Sequence, residues 1–142
     1  MKFDYSKVTL PERSGFFGSS ILKPIIDIRI ASGERSLQYR ALVDSGADFS
    51  IFHTEVGEAL GLDITAGEKL TFGGVQKTEA AAAYLHKITL VIGGWKYATT
   101  VGFSEEISDD SYGILGQKGF FDIFVVKFDL IKESIELKER KE

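Results

Sequence analysis

Cysteine is absent from the 142 residues, which removes disulfides, zinc–thiolate centres and cysteine nucleophiles together. Without disulfides there is no mark of an extracellular scaffold. Proline occurs twice and histidine twice. His53 and His86 belong to no His/Asp/Glu cluster at ligand spacing, and Asp109–Asp110 lacks the patterned oxygens of a calcium loop, so no metal is expected. Positive charge is not in excess: 17 Lys and Arg against 21 Asp and Glu leave −4. A sequence pI of about 5.3 argues against a nucleic-acid partner, which favours a basic field. No apolar run approaches the ~20 residues of a membrane helix; the best stretch, 80–94, is interrupted by His86 and Lys87. The N-terminus carries Asp4 and no continuous apolar segment, so no targeting signal is read there. These absences predict a cytoplasmic protein with no membrane partner.

Aromatic and aliphatic residues are plentiful. The chain is 44% hydrophobic with 11 Phe and 5 Tyr, which excludes disorder and supports one globular domain. Fifteen glycines separate short apolar runs, the texture of a mostly β chain with tight turns. Ile26, Ile28 and Ile30 alternate with Asp27 and Arg29, as in a half-buried strand over 24–31. Leu37, Tyr39, Ala41 and Val43 return in register. A short helix is expected over 54–62, capped by Thr54 and ended by Gly61. Further strands are expected over 69–72, 87–92, 95–103, 112–115, 123–128 and 134–137, with one or two helical turns over 116–121. Trp95, after Gly93–Gly94, reads as a packing anchor at a strand start. Residues 1–20 have no clear period and are read as an N-terminal arm, with one domain over 21–142.

The segment that carries chemistry is Ala41-Leu42-Val43-Asp44-Ser45-Gly46-Ala47-Asp48-Phe49-Ser50-Ile51-Phe52. A carboxylate directly follows an apolar strand, and small residues turn the chain before it becomes apolar again. Asp44 is therefore expected at a strand end beside the interior, where an isolated carboxylate is costly and a second carboxylate raises one pKa strongly. Asp-[Ser/Thr]-Gly alone occurs by chance in roughly one chain in fifteen of this length. Its context is more specific. Downstream, Gly113-Ile114-Leu115-Gly116 again runs an apolar pair into glycine.

With both segments in place, the chain resembles the retropepsin-type aspartic proteases, the single-lobe family with retroviral, bacterial and cellular members. Asp44-Ser45-Gly46-Ala47-Asp48 matches the family's active-site loop, and Ile114-Leu115-Gly116 its second signature. Leu70-Thr71-Phe72-Gly73-Gly74-Val75 falls where the family places its flap. The likeness runs from about Pro24 to about Leu137. It implies an all-β closed barrel with one or two short helices, acting without a cofactor as an aspartic endopeptidase on polypeptide substrates. With one such triplet per chain, the resemblance implies a homodimer that pairs two Asp44 carboxyls across its axis. Two carboxyls roughly 3 Å apart share a proton. The ionised one acts as general base on a water, and the protonated one donates to the scissile carbonyl. On the same resemblance Ser45 ties the two loops together and Gly46 allows close approach of substrate. Ala47 and Asp48 hold the peptide backbone, and Gly73, Gly74 and Val75 cover it. The chain departs from the retroviral pattern at Gln117, where an Arg commonly follows the glycine and supports the loop acid, and in its longer tail. The competing expectation is a module of the same fold that dimerises and binds extended peptides with little or no hydrolysis.

Overall fold

The computed structural model describes residues 1–72, 81–107 and 112–141. The order is β1 (Lys2–Asp4), β2 (Ser6–Ser14), β3 (Gly18–Lys23), β4 (Ile25–Ser32), β5 (Arg35–Val43), β6 (Ile51–His53), α1 (Thr54–Ala59) and a 3-10 turn (Ile64–Ala66). There follow β7 (Glu68–Phe72), β8 (Ala81–Ile92), β9 (Trp95–Ser104), β10 (Gly113–Leu115), β11 (Phe124–Asp129) and β12 (Ser134–Glu139). Among the described residues no helix is long and apolar enough to cross a membrane.

The strands β4-β5-β10-β6-β9-β8 hydrogen-bond in that order, and β4 pairs again with β8, opposite Leu90 at Ile30, so six strands close into a barrel. β7 extends the sheet on the outer side of β8. The closure follows from the alternation on β4. Ile26, Ile28 and Ile30 are buried while Asp27 and Arg29 are exposed, and each buried Ile contributes about 1.5–3 kcal/mol. Facing them are Ala41 and Val43, Leu90 and Ile92, Val101, Phe103 and Leu115. A second sheet, β1-β12-β11, lies beside the barrel. Phe120, Phe124, Ile135 and Leu137 continue the same core into it. The N-terminus is held there as well, since the Met1 amine donates to the Leu137 carbonyl at 3.0 Å and Leu137 N–H donates back at 2.8 Å.

Several local expectations need correction. The cap of α1 is His53, whose Nδ1 accepts from Glu55 N–H at 3.2 Å, whereas Thr54 is the first helical residue and is buried. Residues 117–123 form successive turns rather than helix. Phe121 and Asp122 N–H groups reach five residues back, to the Gly116 and Gln117 carbonyls at 3.2 Å. Trp95 is 68% exposed and anchors nothing in the core. β8 begins earlier than its apolar stretch suggests, because Ala81, Ala82 and Ala83 pair with Phe72, Thr71 and Leu70. Alanine has little strand preference of its own. Here Ala83 is fully buried beside Gly102, where an added Cβ would lie 3.3 Å from the Ala83 Cβ.

Candidate active site

Asp44 is the residue after β5, at the point where three strands converge. β10 runs parallel to β5, with Ile114 opposite Leu42 and Leu115 opposite Val43, and it pairs antiparallel with β6 at Ile114–Ile51. The chain therefore leaves β5, turns through 44–50, and re-enters the sheet on the far side of β10. Asp44 N–H donates to the Leu115 carbonyl at 2.9 Å, so the acid's backbone is fixed by the second signature. Its carboxylate is also fixed. Gly46 N–H donates to Asp44 Oδ1 at 2.9 Å, and Ala47 N–H donates to the Asp44 carbonyl at 3.2 Å. This is an Asx-type turn. Asp44 is half-buried, while Ser45 and Gly46 are exposed at the turn's crest.

The far side of the turn is tied down by groups that the motif does not reveal. Gln117 N–H donates to the Ala47 carbonyl at 2.8 Å, Lys118 N–H to the Asp48 carbonyl at 3.0 Å, and Ser50 N–H to the Lys118 carbonyl at 2.9 Å. Ser50 is fully buried, and its Oγ accepts from Gly116 N–H at 3.0 Å. A buried hydroxyl without a partner would be costly; here it joins the two signature segments. Gly116 leaves no room for a side chain, since a Cβ would lie 2.4 Å from the Phe49 carbonyl oxygen and 2.8 Å from that of Ala47. Gly113 is similarly confined, with a Cβ falling 2.4 Å from the Phe52 ring. The two glycines that flank Ile114–Leu115 are thus spacing requirements of this crossing.

The loop acid and Gln117 do not meet. The Gln117 side-chain amide donates to the Ser45 carbonyl, so it braces the crest of the turn rather than the Asp48 carboxylate. Asp48 is exposed, and the two ion pairs among the described residues both belong to Glu136. Phe49 packs edge-on against Phe72 at 5.5 Å and links the turn to the end of β7. Gly73, Gly74 and Val75 lie outside the described residues, as do Asp109 and Asp110. Neither histidine is near this turn's hydrogen bonds. His53 caps α1, and His86 Nε2 donates to the Ile64 carbonyl at 2.8 Å while its ring meets Phe103 at 5.8 Å.

A model of the aspartyl proteases matches residues 26–118, which spans β4, the Asp44 turn and the Gly116 crossing. The chain belongs to the aspartyl protease family. Among solved structures, a retropepsin-like aspartic protease from Rickettsia conorii is 18% identical with a TM-score of 0.54, covering 95% of each chain. EIAV protease in complex with an inhibitor is 20% identical with a TM-score of 0.48, covering 67% of this chain and 82% of its own. The Rickettsia match extends the retropepsin-like fold over nearly the whole chain. No curated protein matches the sequence. A hollow of about 530 Å³ is lined by α1, the 3-10 turn and the ends of β8 and β9, including Glu58, Asp63 and Glu106, and Asp44 is not among its lining residues.

Proposed function

We propose that the protein is a homodimeric aspartic endopeptidase in which two copies place their Asp44 carboxyls together across a two-fold axis. The observation that supports this most is the presentation of Asp44. Its carboxylate is oriented by Gly46, its backbone is braced by Leu115, and Ser45 and Gly46 beside it are exposed. Such an acid has the fixed geometry that general acid–base catalysis needs, and a second copy would supply the second carboxyl.

In the pair, one carboxyl is ionised and takes a proton from a water held between them. The other is protonated and donates to the scissile carbonyl oxygen, giving a tetrahedral diol that collapses as the proton is passed to the leaving amine. Ser45 at the exposed crest bonds across the axis, and Gly46 gives the peptide close access. Ala47 and Asp48 bind the peptide backbone, and Gly73, Gly74 and Val75 cover it. Gln117 holds the Ser45 carbonyl and so keeps the crest in register.

Both protonation states are needed, so activity follows a bell in pH with its maximum on the acid side of neutral. Below the bell both carboxyls are protonated and the base is lost. Above it both are ionised and the acid is lost. Cleavage of an unfolded protein should be measured between pH 4 and 9 with wild type and with Asp44→Asn, both checked for dimer by light scattering. The expected result is an acidic maximum and a loss of about 10³-fold or more in the variant with the dimer intact. Dimers that bind peptide with no turnover in either protein would point to the peptide-binding reading, and a rate rising steadily to pH 9 would contradict the shared proton.

A further inference from the structure

The hairpin of β2 and β3 has no place in the barrel. Among the described residues the two strands pair only with each other, through Ser6–Lys23, Lys7–Leu22, Val8–Ile21 and Thr9–Ser20, and they meet again at Ser14–Gly18. No residue of either strand is fully buried. Val8, Leu10, Ile21 and Leu22 are absent from the side chains packed on the core. A lone two-stranded hairpin is at best marginally stable in water. This one also ends in an apolar tip, where Phe16 is 88% exposed, Phe17 is 59% exposed, and the two rings stack edge-on at 4.8 Å.

The base of the hairpin adjoins the Asp44 turn. Ser6 Oγ donates to the Ile25 carbonyl at 2.8 Å. Pro24, which follows β3, accepts from Val43 N–H at 2.8 Å, one residue before Asp44. The strands are roughly 20–30 Å long, so the Phe16–Phe17 tip lies well away from that base. The same end of the molecule carries more uncovered apolar surface. Tyr5 N–H, just before β2, donates to the Glu133 carbonyl at 3.0 Å, in the β11–β12 turn where Leu130 is 59% and Ile131 92% exposed.

We propose that the β2–β3 hairpin is a dimerisation arm that lies on a second copy of this chain and buries Phe16 and Phe17 there. The occupant is assigned by position, and this rests on the proposed two-fold site. The arm springs from the face that is incomplete without another copy, and that copy brings exposed Leu130 and Ile131 of matching character. A two-fold pair of arms clasps both protomers, each burying on the other the Phe16–Phe17 tip that its own chain leaves exposed. The arm accordingly links dimer assembly to completion of the site.

The test is Phe16→Ser/Phe17→Ser, which touches no core side chain and leaves the fold readable by circular dichroism. Sedimentation should give a dimer dissociation constant raised tenfold or more, with turnover per dimer recovered at high protein concentration. A rise below tenfold overturns the arm. A second readout uses the absence of cysteine: Gly15→Cys, with open space around its Cβ, carries a benzophenone label. Photolysis is expected to link two chains, and linkage confined to one chain overturns the proposal. If wild type is a dimer that the Phe variant weakens, yet Asp44 proves dispensable for turnover, the arm stands and the catalytic reading fails. If wild type is monomeric at every concentration, both fail.

Discussion

Gly116 sits where a methyl group cannot. Its Cβ would be driven into the carbonyls of Phe49 and Ala47, both backbone atoms of the turn that carries Asp44. Gly116→Ala should cost about 2–4 kcal/mol, read as a lower urea midpoint, and should lower cleavage in the fraction that remains folded. Ser50→Ala removes the Oγ that accepts from Gly116 N–H in a fully buried position. It is expected to cost about 1–3 kcal/mol by leaving that amide unpaired. Gln117→Leu removes a bond at an exposed position, so its stability effect should be within about 0.5–1.5 kcal/mol. Its mark should be kinetic, a several-fold fall in kcat with the dimer retained, because the Ser45 carbonyl loses its brace. An unchanged kcat in Gln117→Leu would show that the crest holds its position without the side chain.

Strands whose pattern alternates are legible in the sequence: β4 and β5 fall within a residue or two of the expected 24–31 and 37–43. The start of β8 was not, because its signal is Ala81-Ala82-Ala83, and only the neighbouring Gly102 and the β7 pairing explain why such small residues form a strand there. The first strand was equally hidden. Lys2-Phe3-Asp4 is too short to show a period, and its partner, β12, lies at the other end of the chain. The Asp44 turn was readable from the motif, since acid, small residues and apolar flanks are all local. Ser50 and Gln117 were not, because their partners Gly116 and Ser45 lie 66 and 72 residues away in sequence. At this scale the two sheets are joined by Tyr97, whose ring meets Phe124 at 4.8 Å and whose hydroxyl donates to Glu139 at 3.4 Å. Burial first, then the Glu139 charge and hydrogen bond, raise the Tyr97 pKa above its ordinary 10.0. The neutral phenol is the form the fold favours. Stability is therefore whole below pH 10 and falls as pH rises from there through the elevated folded value. Tyr97→Phe should flatten that fall in urea midpoints measured from pH 9 to 11; an equally steep fall would place the alkaline transition elsewhere.

The whole molecule is a closed barrel with its acid at the strand crossing, a terminal sheet that holds Met1 against Leu137, and a hairpin whose apolar tip is exposed. Its Asp-Ser-Gly triplet occurs once, so the account requires that a site be made by two chains and that activity follow dimer concentration. Dilution below the dimer dissociation constant should therefore lower specific activity, and peptide bound in the cleft should restore it. The most direct test of the paired site is a mixture of wild type and Asp44→Asn, equilibrated at fixed total concentration and assayed at the acidic maximum. If each site needs Asp44 from both chains, only wild-type homodimers work, and an equal mixture should retain about a quarter of the all-wild-type rate. Retention of about a half would mean that each chain acts by itself, and would contradict the account.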